Sequence, residues 1–258
     1  MPEVPPLALA TWRLGATAAI LLPWSWRRLS RISGRSALAI GSAGTLLAVH
    51  FVAWFAAVHL TSVWHAAVLV SLVPLASGAI EAAQGRPPKA AFWCAAGIAA
   101  LSAGGLAGSG AADASLTGDA LAVVAAVAYA GVLSIGERVR QDLDVVAWTA
   151  ALTTPAALVC GAAAVATATS FTGFSTSAWF GIAWCVLGPQ LLGHQSLSWA
   201  LRWWPASRVS LVLLLEPVGA ALLASVAFGA RPSPASIVAG ALTLAAVAVA
   251  ANANRPTG

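Results

Sequence analysis

Residues 194–217 read HQSLSWALRWWPASRVSLVLLLEP, and residues 50–74 read HFVAWFAAVHLTSVWHAAVLVSLVP. Both stretches run from a His inside an apolar segment, through Trp and a short break, to an apolar run that ends in Pro. A Gly followed closely by Arg and Pro comes after each stretch, at 85–87 and 229–232. The shared order predicts an internal repeat. The alternative is chance similarity between two apolar helical hairpins in an alanine-rich chain.

The composition is that of a membrane protein. Hydrophobic residues make up 60% of the 258 residues and charged residues 8%, against about 45–50% and about 25% in soluble domains. A soluble domain needs more polar surface than this, and a disordered chain is polar and charged. The three Cys lie in apolar stretches without paired spacing, so neither a disulfide framework nor a metal site is predicted. The net charge of +5 is typical of basic membrane loops and requires no nucleic-acid partner.

A spanning helix needs about 20 mostly apolar residues, and the chain offers nine such segments. An all-α integral membrane protein with about nine transmembrane helices is therefore predicted. The first segment carries Arg13 and has no basic residue before it, so we interpret it as a helix and not as a signal peptide. The predicted spans are 6–23, 37–57, 63–83, 90–108, 117–136, 144–168, 178–200, 206–229 and 235–253.

Loop charges predict the orientation. The loops after the first, third, fifth and seventh spans, with the C-terminal tail, hold nearly all basic loop residues, and the opposite loops hold only Arg231. Because basic loops stay in the cytoplasm, the N-terminus is predicted outside and the C-terminus in the cytoplasm. Pro74 then lies on an inward-running helix and Pro217 on an outward-running one, so the repeat is inverted, as in many transporters.

The two predicted copies are unequal. The first covers 1–108 with four spans and the second covers 116–253 with five, together forming one membrane domain. An inverted repeat needs an odd number of spans in each copy, so this incomplete 4+5 repeat predicts that the first copy lacks its opening helix. A second copy of the chain or a lipid would fill the missing wall, so a homodimer is one predicted partner.

Glu216 is the strongest candidate for a functional acid, because ionisable groups inside a span are costly and face a cavity or a partner. Pro217 removes a backbone donor and predicts a kink there. Glu216 either lines the solute path or takes up a proton, or it pairs with Arg208 or caps a kinked helix. We expect it to share one central cavity with Gln190 and His194.

The seventh span carries a polar stripe, because Gln190, His194 and Ser198 follow one another at intervals of four residues. Pro189 predicts a kink just before the stripe. A polar stripe in lipid must face the bundle, where it either contacts the solute or holds helices together. His50 and Trp54 form the matching stripe of the second span, and His50 is read either as a cavity residue or as a packing residue.

Other polar residues inside spans are weaker candidates. Tyr129, the only tyrosine, either packs or contacts the solute, and packing is favoured. Ser71 and the predicted kink residue Pro74 lie on the third span, and Glu81 lies near its cytoplasmic end, where a solvated carboxylate is expected. Arg13 either pairs or reaches the interface within the fold, or it binds the solute, and the first of these is favoured.

Enzyme motifs are absent from the sequence. There is no His-Glu-x-x-His, no paired-Glu protease motif and no phosphate-binding Gly-rich loop. A Ser/His dyad built on His194 has no Gly-x-Ser triplet near it, because both triplets fall in loops. We therefore predict a protein that is not an enzyme and that has no cofactor and no metal.

Four short stretches carry a family resemblance. PPLALATWR at 5–13, LTGDALA at 116–122 with GERVR at 136–140, LEPVGAAL at 215–222 and FGARPSPASIVAG at 228–240 resemble the EamA-type branch of the drug/metabolite transporter superfamily. The resemblance implies the family's ten-helix fold with its first helix absent. It departs from the family where Ala230 and Arg231 replace the acid that often follows the Gly ending the ninth family helix.

The resemblance also implies a function. It suggests a transporter of a small organic metabolite, an amino acid or similar, that exports its substrate by alternating access across the cell (inner) membrane. Its partners would then be a small-molecule substrate and the lipid bilayer. The competing hypothesis is a non-transporting or degenerate polytopic membrane protein that acts as a partner subunit.

Overall fold

The structure, a computed structural model, describes residues 3–61, 63–107, 115–216, 218–219, 222, 225–226 and 234–253. Every regular element in these ranges is helical. In chain order the helices are α1 (Pro6–Leu29), α2 (Gly34–Leu60), α3 (Val63–Val70), α4 (Val73–Ala83), α5 (Ala90–Ala107), α6 (Leu116–Val139), α7 (Val145–Ala166), α8 (Thr176–Cys185), a π-helical segment (Val186–His194), α9 (Gln195–Ala200), α10 (Ala206–Ser210), a 3-10 segment (Leu211–Leu215) and α11 (Pro234–Ala253).

Within the residues that the structure describes, consecutive segments group into nine helices without any strand, which confirms the predicted all-α fold class. Among the described residues, the four helices α1, α2, α6 and α7 are each long and apolar enough to cross a membrane unaided. The remaining spans are interrupted or shorter apolar helices.

Three spans that the sequence pattern reads as continuous are broken. The third divides into α3 and α4 at a turn over Ser71 and Leu72. Pro74 lies in the first turn of α4. A backbone N–H in this turn has no acceptor inside the helix, so proline, which lacks the N–H, costs no helical hydrogen bond there. The seventh changes from α8 to the π-helical segment and back to α9, and the eighth changes from α10 to a 3-10 segment.

The chain divides into two compact units, and each is described by itself. Unit 1 comprises Met1–Phe55 and Gly131–Trp204, and unit 2 comprises Ala56–Ala130 and Pro205–Gly258. α2 and α6 each contribute residues to both units.

In unit 1, α1 packs antiparallel along α7 through small side chains. A Cβ added at Gly161 would lie 3.4 Å from Thr11 Cγ2, and one added at Gly15 would lie 3.9 Å from Ala157 Cβ. Small residues at a helix contact let the two backbones approach closely, and contacts of this kind are common between helices in a bilayer.

α2 approaches α7 even more closely. A Cβ added at Gly44 would lie 2.3 Å from Pro155 Cγ and 2.9 Å from the Leu152 carbonyl oxygen. No side chain fits there unless one helix moves.

The start of α7 is fixed by a capped acid. Asp144 Oδ1 accepts hydrogen bonds from the backbone N–H groups of Val146 at 3.0 Å and Ala147 at 3.2 Å. Its Oδ2 lies 2.5 Å from Arg28 Nη1 at the end of α1. A carboxylate at this position accepts hydrogen bonds from two N–H groups of the first turn, which have no acceptor inside the helix, and it interacts favourably with the helix dipole.

In unit 2, α5, the 3-10 segment and α11 form an apolar core. Its buried residues are Phe92, Ala95, Ala96, Ala99, Leu211, Leu214, Ala246 and Ala250. α4 ends at Ala83, and Gly85 follows it with a positive φ. Arg86 N–H donates to the Glu81 carbonyl, and Gly85 N–H donates to the Ala82 carbonyl. These are the two hydrogen bonds of a Schellman C-cap, which favours glycine.

Candidate solute-binding site

Arg13 lies inside α1, about 10 Å along the helix from its start at Pro6. Two contacts of the preceding residue orient this part of α1. Trp12 Nε1 donates to the Phe171 carbonyl at 3.0 Å, and the Trp12 ring meets the Trp179 ring edge-on at 5.2 Å. Arg13 itself is half-buried in unit 1.

Gln190 holds the Arg13 side chain. Arg13 Nε donates to Gln190 Oε1 at 2.7 Å, and only 3% of Gln190 is exposed. Gln190 follows Pro189 in the π-helical segment, where Gln195 N–H donates to the Gln190 carbonyl five residues earlier. π-helical turns inside α-helices occur frequently at functional sites, because the extra residue changes where side chains point.

Aromatic rings cover a second side of the guanidinium. Arg13 Cζ lies 5.0 Å from the centre of the Phe51 ring, within cation–π range. Phe51 also meets the rings of His50 at 5.2 Å and His194 at 6.4 Å, both edge-on, and stacks on Phe55 at 6.0 Å.

This arrangement presents a fixed cation inside the bundle. Gln190 is a neutral acceptor and Phe51 a neutral ring, and together these two contacts hold the Arg13 guanidinium in one place. A guanidinium binds a carboxylate through two parallel N–H groups when its plane is fixed. The cluster of Arg13, Gln190, Phe51 and His194 is therefore equipped to orient the anionic group of a small solute.

The structure brings together three of the predicted candidates. Gln190 and His194 lie in one cluster, and His50 joins it through Phe51. Trp54, one turn after His50 on α2, is half-buried. Ser198, the last residue of the predicted stripe, is buried, and its carbonyl accepts a hydrogen bond from Arg140 Nε at 2.9 Å.

Two residues of the cluster were not among the predicted site residues. Arg13 was expected to pair or to reach the interface within the fold in preference to binding the solute, and its side chain donates a hydrogen bond to the candidate residue Gln190. A charge inside a span is costly, and this cost was the signal that could have identified Arg13 as a site residue. Phe51 gives no such signal, because a Phe in an apolar helix has no distinguishing pattern.

The other candidates belong to unit 2. Ser71 is buried at the break between α3 and α4, and Tyr129 is buried on α6. Glu216 follows the 3-10 segment and is exposed, whereas Pro217 lies outside the described residues. A cavity shared by Glu216 with Gln190 and His194 stays a prediction.

The expectation of a solvated Glu81 is wrong. Only 4% of Glu81 is exposed, and its carboxylate accepts from Ser207 N–H at 2.8 Å and from Ser207 Oγ at 2.7 Å. Glu81 thus caps the start of α10 from the last turn of α4. The sequence places Glu81 near a helix end, but it does not reveal that another helix begins beside it.

No candidate metal centre is found where the structure describes the chain: its described His, Cys, Asp and Glu form no group of three or more.

Apolar helices run through the described residues, and unit 1 holds a charged and polar cluster inside them, which is the pattern of a polytopic membrane protein. The sequence profile of the EamA-like transporter family matches residues 1–107 and 116–252. The chain belongs to this family, which places it among the drug/metabolite transporters. The fold is shared with a solved crystal structure at 21% sequence identity and a TM-score of 0.82, over 98% of this chain and 90% of that chain. A comparison with curated proteins gives no match.

Proposed function

We propose that the protein exports a small organic metabolite that carries a carboxylate, an amino acid or similar, by alternating access across the cell membrane. The observation that carries the proposal is the guanidinium of Arg13, held by Gln190 at 2.7 Å and by the Phe51 ring inside a spanning bundle. Membership of the EamA-like family supports transport as such.

In this mechanism Arg13 recognises the carboxylate, and His50, Phe51 and His194 contact the rest of the solute. Gln190 keeps the guanidinium plane in one orientation, so that less ordering is needed when the solute binds. Trp54, Ser71 and Tyr129 stay predicted candidates for solute contact.

Proteoliposome transport tests the function. Vesicles that contain the protein are loaded with a panel of amino acids and other small metabolites, and efflux and exchange are compared with protein-free vesicles. We expect saturable movement of at least one carboxylate solute. A chain that moves no solute in either direction would favour the competing hypothesis of a non-transporting membrane protein.

Glu216 is proposed to take up a proton during transport. The variant Glu216→Gln should then lose the pH dependence of net efflux while it still exchanges solute. A pH dependence equal to that of the wild type would exclude this role, and the matching His194→Ala variant tests whether the histidine carries the proton instead.

A further inference from the structure

One end of unit 1 gathers three separate segments of the chain. Arg28 at the end of α1 pairs with Asp144 before α7. Arg140 Nε donates to the Ser198 carbonyl at 2.9 Å, and Gln141 Nε2 donates to the Arg202 carbonyl at 3.3 Å. Residues 27–35, 138–144 and 198–204 therefore lie together, and we name them the basic end.

Exposed arginines dominate the charge of the basic end. Arg28 is exposed and forms an ion pair with Asp144. Arg140 is buried, and its side chain donates one of the hydrogen bonds that join the segments. The acids of the same segments are Asp142 and Asp144, and Glu137 lies directly before the second segment. The other exposed arginines are Arg27, Arg31, Arg35, Arg138 and Arg202.

Exposed tryptophans flank these arginines. Trp24 is 82% exposed, Trp26 69%, Trp203 64% and Trp204 51%, and Arg202 Cζ lies 5.8 Å from the centre of the Trp203 ring. Tryptophans that leave the bundle surface at a helix end sit at the level of the lipid headgroups. They therefore place the neighbouring guanidinium groups at the depth of the lipid phosphates.

We propose that the basic end binds the phosphate groups of anionic phospholipids. Every cation at this end is an arginine, and a guanidinium meets a phosphate through two parallel N–H groups, which an ammonium cannot do. The pairing of exposed rings with exposed guanidiniums fits a lipid, which offers an acyl chain beside its phosphate, better than a free anion.

Lipid retention tests this inference and does not depend on transport. The protein is reconstituted in vesicles of equal phosphatidylglycerol and phosphatidylcholine, extracted in mild detergent, and its bound lipids are counted by mass spectrometry. We expect phosphatidylglycerol to be enriched over phosphatidylcholine among the bound lipids. In the double variant Arg31→Gln/Arg35→Gln the enrichment should fall at least about five-fold, since each basic group near a bilayer contributes roughly five-fold to the binding of anionic lipid.

The variant Arg86→Gln/Lys89→Gln is the matched control, because it removes the same charge from a loop of unit 2. It should retain the enrichment, whereas Arg31→Lys/Arg35→Lys should lose part of it. Equal enrichment in the wild type and the Arg31/Arg35 variant, an equal loss in the unit 2 control, or complete displacement of the lipid by inorganic phosphate would overturn the proposal. Thermal unfolding of each variant at the wild-type temperature shows that its fold is intact.

Discussion

Arg13 places a charge inside a spanning helix, where insertion scales assign arginine a cost of about 2.5–3.5 kcal/mol at the centre of the bilayer. Its hydrogen bond to Gln190 and its contact with Phe51 offset part of this cost. The same two contacts hold the guanidinium plane, so in the proposed mechanism one pair of interactions serves both stability and recognition.

The variant Gln190→Leu should destabilise the protein by about 1.5–3 kcal/mol, because a charged donor loses its acceptor. It should also raise the KM for a carboxylate solute by freeing the Arg13 side chain. Thermal unfolding in detergent and transport rates measure the two effects. Gln195→Leu, on the same helical run, is the control and should change neither quantity comparably.

Asp144 predicts a pH effect at the residue scale. Burial raises the pKa of this carboxyl, but the hydrogen bond from Arg28, the N–H groups of Ala147 and Val146 and the charge of Arg28 together outweigh burial and lower it. A lowered pKa stabilises the fold above the ordinary aspartate pKa, and this stability is lost as the pH falls through the folded-state value.

The variant Asp144→Asn should therefore be less stable than the wild type at neutral pH, with the difference shrinking under acidic conditions. Unfolding temperatures measured from neutral pH down to about pH 3 check this. Asp142→Asn, an exposed acid in the same turn, controls for a general change of net charge. If the difference in unfolding temperature between the wild type and Asp144→Asn stayed constant across this pH range, the lowered pKa of Asp144 would be contradicted.

At the scale of elements, sequence reasoning identified the apolar helices of the described residues because apolar length is a local property. It did not identify the turn at Ser71 and Leu72 or the π-helical segment, because packing and not composition decides where an apolar helix is interrupted. Gln190 and His194 were found from their spacing on one helix. Their link to Arg13 joins residues 177 positions apart in sequence, and a single helical pattern carries no such information.

α2 and α7 pack very closely at Gly44. The variant Gly44→Ala should destabilise the protein by about 1–3 kcal/mol, because the added methyl meets Pro155 and the Leu152 backbone oxygen. Gly41→Ala on the same helix meets nothing within 4 Å, so it should be neutral or slightly stabilising. Equal unfolding temperatures for the two variants would contradict this packing.

At the scale of the whole molecule, the family agrees with the one that the short sequence stretches resemble, and the helices of the described residues agree with the hydropathy. The orientation stays a prediction based on loop charge. Reporter fusions at residue 31 and at residue 112 should score cytoplasmic and external respectively. The reverse pattern would contradict the predicted orientation and would leave the predicted inverted relation of the two repeats untouched.

The most direct test of the central claim is the initial transport rate of a carboxylate solute by Arg13 variants in proteoliposomes. If Arg13 binds the carboxylate, Arg13→Gln should lower kcat/KM by about 10- to 100-fold, which corresponds to the loss of a charge-assisted hydrogen bond. Arg13→Lys should retain part of the activity, and transport of any neutral solute should change little. Wild-type rates for the carboxylate solute in a folded Arg13→Gln protein would contradict the account.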